Sequence, residues 1–416
     1  MRSPMQTSET RLRAVSVALG LAIVLVAAVM ATPSAQASHF TVLYNFTGGA
    51  DGAYPMYGSL VLDKAGNLYG TDSGGASGYG VVFKLDAKNG KLTVLYSFTG
   101  GEDGATPYAG LVRDAAGNLY GTTTSGGASG YGVVFKLEKT GKESVLYSFT
   151  GGNDGGKPIG GLVRDSAGNL YGTTNLGGAL GCGVVFRLDK TGKETVLHNF
   201  SGWPTDGCSP VSSLVLNKAG NLLFGATNSG GAWDVGVVFK MGAKTGEETV
   251  LHSFNYSTGD DGAGPWGALL VGPGGDLYGT TSWGGNGGSD GDYDVGTVFK
   301  VDPETGKEAV LWDFDGIGED EGGPYGGVIQ NKAGKLYGTS TEDITGDSPG
   351  AVWELDPKTG NLSVLYNFSG PPDGAYPLAS LVMDPKGALY GTTEYGGSGS
   401  CSIYWGGCGV VFKLVP

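Results

Sequence analysis

Residues 110–149 read Gly110-Leu-Val-Arg-Asp, then Asn118-Leu-Tyr-Gly-Thr-Thr, then Gly132-Val-Val-Phe-Lys-Leu, then Ser144-Val-Leu-Tyr-Ser-Phe149. Each of the four segments is short, rich in β-branched and aromatic residues, and bounded by Gly, Asp or Asn, which is typical of β-strands. Glycine interrupts the chain too often for a helix of useful length. The block therefore predicts four strands, which we call A to D in chain order.

The same block recurs seven times along the 416 residues. The aromatic residue of its Leu-Tyr-Gly motif marks the copies, at Tyr69, Tyr120, Tyr171, Phe224, Tyr278, Tyr337 and Tyr390. Four strands in a period of about 50 residues are the signature of a β-propeller blade. The chain is thus expected to be all-β, a seven-bladed β-propeller with four antiparallel strands per blade.

The two ends of the array complement each other. Strand D is missing from the seventh copy, after Gly409-Val-Val-Phe-Lys-Leu414, and an equivalent segment, Phe40-Thr-Val-Leu-Tyr-Asn-Phe46, stands alone before the first copy. Closing the ring removes the last exposed flank of such an array. The N-terminal strand 40–46 is therefore predicted to complete blade seven, in a single domain of residues 38–416.

Residues 1–37 have the features of a signal peptide. Arg2, Arg11 and Arg13 precede an apolar run, and Ala35-Gln36-Ala37 matches an Ala-x-Ala cleavage site. An uncleaved membrane anchor is the alternative. We expect cleavage, a secreted or periplasmic monomer, and no membrane insertion of the mature protein.

The overall charge of the chain indicates which classes of partner it is expected to bind. The formal net charge is −14, and the 26 basic residues are scattered along the chain. Nucleic acid binding requires clustered Lys and Arg, so nucleic acid is not an expected partner. The sequence also lacks a P-loop, a Gly-x-Ser-x-Gly elbow and a His-Glu-x-x-His motif.

Four cysteines are compatible with export. Cys182 begins strand C of blade three, and Cys208 follows strand D of the same blade. Because C and D are neighbouring antiparallel strands, these two cysteines lie at one rim, which leaves Cys401 and Cys408 to pair with each other. Zinc ligation and free thiols are the alternatives.

An aspartate recurs in each loop between strands D and A, four residues before a proline. The residues are Asp51, Asp103, Asp154, Asp206, Asp261, Asp320 and Asp373. A residue repeated in every blade favours a structural role in the turn over a single active site, although cation binding is an alternative. His198 and His252 stand at the Tyr position of strand D, where we expect structural substitutions.

Ligand binding is expected where the copies differ. Tryptophans cluster in the D–A and B–C loops, which share one face: Trp203, Trp233, Trp266, Trp283 and Trp405. Indole rings stack on sugar rings. Trp233, Trp266, Trp283, Tyr293 and Trp405 are the candidate ligand-binding residues, and capping of the blade ends is the alternative role for the loop tryptophans.

Blade five has an acidic B–C loop. Asp290, Asp292 and Asp294 alternate in a way that calcium loops use, although the sequence lacks the glycine and glutamate of a complete loop. These aspartates are the candidate ligands for Ca²⁺, the only cofactor the sequence indicates. A solvent-facing acidic loop is the alternative.

The motifs quoted above resemble the GloVer tandem repeat of exported bacterial proteins, over nearly all of residues 40–414. The resemblance implies no catalytic residues. We therefore expect an exported binding or scaffold module whose ligand is a polysaccharide or a protein, at the cell surface or in the medium. A carbohydrate-active lyase or glycoside hydrolase that uses loop carboxylates is the alternative.

Overall fold

The computed structural model describes residues 38–255, 261–285, 296–314, 323–342, 348–401 and 406–416. These residues form seven four-stranded antiparallel sheets, which confirms the predicted seven-bladed β-propeller. Within the described residues, no helix has the length and apolar composition that crossing a bilayer requires.

Strands A and B of each blade are short neighbours. The A strands are β2 (Val61–Leu62), β6 (Val112–Arg113), β10 (Val163–Arg164), β15 (Val215–Leu216), β21 (Leu270–Val271), β26 (Ile329–Gln330) and β30 (Val382–Met383). The B strands are β3 (Asn67–Asp72), β7 (Leu119–Thr123), β11 (Leu170–Thr174), β16 (Leu222–Thr227), β22 (Leu277–Thr281), β27 (Leu336–Ser340) and β31 (Leu389–Thr393).

Strand C has five or six residues, as strand B has, and strand D has six or seven. The C strands are β4 (Val81–Asp86), β8 (Val133–Leu137), β12 (Val184–Leu188), β18 (Val237–Gly242), β24 (Thr297–Val301), β28 (Ala351–Asp356) and β32 (Val410–Val415). The D strands are β5 (Lys91–Ser97), β9 (Glu143–Ser148), β13 (Glu194–Asn199), β19 (Glu248–Ser253), β25 (Glu308–Asp313), β29 (Asn361–Asn367) and β1 (His39–Asn45). Two further ribbons join loops, β14 (Gly207–Cys208) with β17 (Ser229–Gly230) and β20 (Gly262–Ala263) with β23 (Trp283–Gly284).

The first strand closes the ring. The sheet of blade seven has the order β1-β32-β31-β30, and β1 pairs antiparallel with β32 from His39↔Val415 to Asn45↔Val410. Phe40 also stacks on Tyr366 of blade six, with 3.9 Å between ring centroids. The predicted N-terminal closure is confirmed.

Neighbouring blades meet through aromatic rings. The Phe after each strand D contacts the aromatic residue of strand C in the next blade, with centroids 5.1 to 5.7 Å apart at all seven joints, as for Phe98 and Phe135. The glycine of the Leu-Tyr-Gly motif makes room for that ring, because a Cβ on Gly121 would lie 2.6 Å from Cζ of Phe135. The motif glycine and the aromatic residue of strand C are therefore both required by the same packing contact.

The aspartate of each D–A loop ties that loop to strand D. Asp103 accepts hydrogen bonds from the Tyr96 hydroxyl (3.0 Å) and the Thr99 N–H (2.8 Å), and the same pattern occurs at Asp51 and Asp154. In blade one a β-bulge in strand D precedes Tyr96. The pairing of strands C and D shifts there, because Val82 pairs with Tyr96 and Phe83 pairs with Val94. The described aspartates therefore have the structural role that the turn chemistry predicts.

A half-buried glutamate of the next blade lies near the aspartate at several joints. Glu143 and Glu194 each have a buried Oε1 atom without a hydrogen-bond partner. Burial, reinforced by the charge of Asp103 or Asp154 respectively, raises the pKa of each glutamate to about 7. In blades one, six and seven the same position is apolar, with Leu92, Leu362 and Phe40 respectively, and Phe40 packs on the ring of Tyr366.

Deleting residues 38–46 should disrupt the ring, because strand β32 would become an exposed edge that can pair with other chains. We expect loss of the soluble monomer in size-exclusion chromatography and a large fall in melting temperature. A chain lacking only residues 1–37 is the matched control, since it keeps β1. An unchanged melting curve after the deletion of 38–46 would contradict the closure.

The stability of the folded protein should decrease as the pH rises through the range in which Glu143 and Glu194 titrate. Between the ordinary glutamate pKa of 4.5 and the raised value of about 7, the folded state holds protons that the unfolded state releases. The free energy of unfolding therefore decreases as the pH rises from 4.5 to 7, and these groups contribute no further change above 7. A Glu143→Gln/Glu194→Gln variant should show a smaller loss of melting temperature between pH 5 and pH 8 than the native chain, and equal losses would contradict the assignment.

Candidate functional site

The D–A and B–C loops lie on one face of the ring, which we call the loop face. At every joint except that of blades five and six, where parts of both loops lie outside the described residues, the D–A loop is hydrogen-bonded through its backbone to the B–C loops of both adjacent blades. For example, Thr106 N donates to Tyr79 O (2.8 Å) on one side, and Ala105 N donates to Ser125 O (2.8 Å) on the other. The backbone of this face is therefore held in place by hydrogen bonds between adjacent loops, which favours a preformed binding surface.

A central channel opens at the loop face. The cavity has a volume of about 350 Å³ and is lined by the residues that lead into the A strands. Small residues line much of its wall, such as Gly110, Gly160 and Gly326. A Cβ on Gly110 would lie 2.8 Å from the Ser59 carbonyl oxygen of the preceding blade, so the inner segments approach one another closely at this glycine.

Aromatic rings cross the mouth of this channel. Trp266 of blade five stacks on Tyr57 of blade one, with centroids 5.4 Å apart and an interplanar angle of 22°. Tyr325 meets the edge of Trp266 at 6.0 Å, and Tyr108 meets the edge of Tyr57 at 6.2 Å. Because blades one and five are not neighbours, the Tyr57–Trp266 pair spans the channel.

Trp266 was predicted as a ligand-binding residue, but its tyrosine partners were missed. The sequence does contain a signal for Tyr57. Leu60 lies nine positions after Asp51, whereas Leu111 lies eight positions after Asp103 in the next copy. The additional residue interrupts the repeat where Tyr57 reaches across the channel.

A buried carboxylate lies beside these rings. Glu394 is 8% exposed, and burial raises its pKa. Burial, followed by the charge of Glu394, raises the pKa of Tyr57 to about 12. Tyr395 meets the rings of Tyr54 (5.6 Å) and Tyr376 (5.8 Å) edge-on. Glu394 and Tyr395 do not line the channel themselves, but the charge of Glu394 acts on Tyr57, which does.

Exposed apolar side chains concentrate on the loop face. Eight large hydrophobic residues in the described part of the chain are exposed, and all but Val145 belong to D–A or B–C loops: Tyr79, Tyr131, Leu176, Leu180, Trp203, Trp233 and Trp283. The three tryptophans are 53% to 65% exposed. Most of each indole surface is thus available to a ligand.

Several predicted site residues lie outside the described residues. Tyr293 and the candidate calcium ligands Asp290, Asp292 and Asp294 fall in 286–295, and Trp405 falls in 402–405. Their roles stay predictions. Trp353, by contrast, is fully buried in the core at the position of the strand C phenylalanine.

Both expected disulfides form. Cys182–Cys208 joins the B–C loop of blade three to the D–A loop that follows, and Cys401–Cys408 closes the B–C loop of blade seven. In blades one and two the position of Cys182 holds Tyr79 and Tyr131, whose rings pack on Gly100 and Gly151. The first disulfide therefore replaces a ring contact with a covalent bond between the same loops.

These features define a closed seven-bladed propeller with an aromatic loop face. The chain belongs to the Gloeobacter/Verrucomicrobia repeat family, whose profile matches residues 29–179 and 161–412. No curated protein matches it by sequence.

Solved structures share the fold at low identity. Virginiamycin B lyase from Staphylococcus aureus matches with a TM-score of 0.57 and 13% identity, over 91% of this chain and 99% of that one. Oligogalacturonate lyase from Vibrio parahaemolyticus matches with 0.53 and 12%, over 91% and 97%. The extracellular domain of a putative hybrid two component system from B. thetaiotaomicron matches with 0.59 and 10%, over 90% of this chain and 39% of that one.

The stacked pair at the channel mouth should be energetically coupled. Replacing Trp266 with Leu, the residue type at the equivalent Leu378, removes the ring while keeping an apolar side chain. In a double-mutant cycle of Trp266→Leu and Tyr57→Leu, we expect a coupling free energy of about 0.5–1.5 kcal/mol. Chemical denaturation measures it, and strictly additive effects would show that the two rings do not interact.

Proposed function

We propose that this protein is an exported binding module that holds a polysaccharide on its loop face. The main support is that seven of the eight exposed large hydrophobic side chains in the described residues lie on the loop face. Exposed apolar side chains that gather on one face of a protein are typical of an interaction site.

The chemistry of this face suits sugar rings. The exposed faces of Trp233 and Trp283 can stack on the C–H faces of pyranose rings. The tyrosines that line the channel, Tyr57 and Tyr325, supply hydroxyl groups that can bond to sugar hydroxyls. The net charge of −14 repels polyanions, so a neutral polysaccharide is the favoured ligand class.

Two disulfides support export. Such bonds persist in oxidising compartments and are rare in the cytosol. A secreted or periplasmic location, reached through the signal peptide of residues 1–37, agrees with a ligand outside the cell.

The second candidate is a carbohydrate-active lyase or hydrolase. Glu394 favours it, because a buried carboxyl group with a raised pKa near a tyrosine is a typical general acid or base. The solved neighbours include lyases as well as an extracellular sensor domain, and this fold hosts unrelated functions.

The mature protein should be tested on an array of neutral and acidic glycans, with an assay for new reducing ends and unsaturated products on each glycan that binds. Binding without product supports the binding module. Product that disappears in Glu394→Gln supports the enzyme. The absence of binding to every polysaccharide would overturn the proposal.

The loop tryptophans should carry affinity and not stability. We expect Trp233→Ala and Trp283→Ala each to weaken binding of the identified polysaccharide about tenfold, equal to about 1.4 kcal/mol, with unchanged melting temperatures. Leu180→Ala and Leu176→Ala are the matched comparison, since these leucines occupy the equivalent positions in blade three and offer no ring, and we expect each to weaken binding less than the tryptophan substitutions do. Calorimetric titration measures the affinities. Full affinity in both tryptophan variants, or unfolding of either, would assign the tryptophans to blade capping.

A further inference from the structure

The two histidines of the outer strands lie in matching clusters at consecutive blade joints. Each cluster combines a histidine of strand D, the aspartate of the following loop and a glutamate of strand D in the next blade: His198, Asp206 and Glu248, then His252, Asp261 and Glu308. In each cluster, one ligand atom from every residue lies within 4.8 Å of the other two.

The spacing of the ligand atoms fits a small divalent ion. His198 Nε2 lies 3.1 Å from Asp206 Oδ2, and His252 Nε2 lies 3.0 Å from Asp261 Oδ2. Metal–ligand bonds of roughly 2.0–2.2 Å in a tetrahedral site place two ligand atoms about 3.3 Å apart. A modest shift of the glutamate side chain completes a three-residue set.

The surroundings orient the carboxylates and leave ligand atoms open. Asp206 accepts the backbone N–H groups of Ser201 (2.8 Å) and Gly207 (2.7 Å), which fixes its carboxylate against the histidine. Oε1 of Glu248 and Oε1 of Glu308 are buried and have no hydrogen-bond partner. The same unpaired Oε1 atom occurs at Glu143 and Glu194, where a tyrosine replaces the histidine, so the imidazole nitrogen is the group that distinguishes these two joints.

We propose that these two joints bind one divalent transition-metal ion each, of the Zn²⁺ class, and that each ion cross-links neighbouring blades. One imidazole and two carboxylates suit zinc, with a water in the fourth position. Imidazole is a poor ligand for Ca²⁺, which takes oxygen donors. The residues of these clusters differ from the candidate calcium ligands and from the candidate stacking residues of the loop face.

The ring supplies its own control joints. Between blades two and three, Tyr147, Asp154 and Glu194 occupy the corresponding positions, and the Tyr147 hydroxyl donates to Asp154 at 3.0 Å. A tyrosine therefore fills the place of the histidine without disturbing the joint. His198→Tyr and His252→Tyr should remove the nitrogen ligand and keep the fold.

The test is zinc stoichiometry in tag-free protein stripped with EDTA, measured by calorimetric titration with ZnCl₂ and by elemental analysis after desalting. We expect two equivalents in the native chain, one in His198→Tyr and one in His252→Tyr. The double variant should bind none at these joints. Zinc should raise the melting temperature of the native chain and leave that of the double variant unchanged, because an ion that binds only the folded state stabilises it.

Two further variants exclude binding to scattered surface carboxylates. Tyr147→His should add one equivalent of zinc, and Glu248→Leu, which copies the leucine native to blade one at Leu92, should remove one. Titration with CaCl₂ should show no difference between the native chain and the double histidine variant. A zinc stoichiometry that is the same in the native chain and the double variant would overturn the proposal.

Discussion

The contact between the phenylalanine that ends strand D and the aromatic ring of strand C in the next blade is the interaction on which the ring depends. It occurs at all seven joints with nearly constant geometry. These rings are among the largest fully buried side chains, so they supply much of the apolar area removed from water between blades. The glycine of Leu-Tyr-Gly is required by the same contact, because it leaves the space that the ring fills.

The outer part of each joint varies, whereas the aromatic contact does not. A tyrosine bonded to the loop aspartate is the common arrangement, and in it the neighbouring blade presents either an apolar side chain or a glutamate. Only where the glutamate is present does histidine replace tyrosine among the described joints. Because the inner contact already holds the blades together, the outer positions are free to acquire polar chemistry.

The loop face likewise combines a constant backbone with side chains that vary from blade to blade. Its backbone is held on both sides by hydrogen bonds to adjacent loops, so the side chains it carries can change from blade to blade without loss of the fold. Exposed tryptophans and leucines occupy several blades, while one tryptophan and three tyrosines gather over the channel. Specialisation of this kind is expected of a repeat protein, where most positions build the scaffold and a few differing positions recognise a ligand.

The sequence by itself determined the number of blades, the strands of each blade, the closure by the first strand and the disulfide partners. These features follow from local patterns that repeat, and a pattern repeated seven times is far more reliable than one occurrence. It also identified the exposed Trp203, Trp233 and Trp283, because they interrupt the repeat in loops.

Only the tertiary structure decided which distant residues meet. Tyr57 and Trp266 come from non-adjacent blades, and their stacking depends on the width of the channel, which no local pattern encodes. The sequence likewise places His198 and Glu248 in different copies, where each reads as an ordinary strand residue. Their meeting is set by how the outer strand of one blade packs against the next, because a ring converts positions in successive repeats into neighbours across a joint.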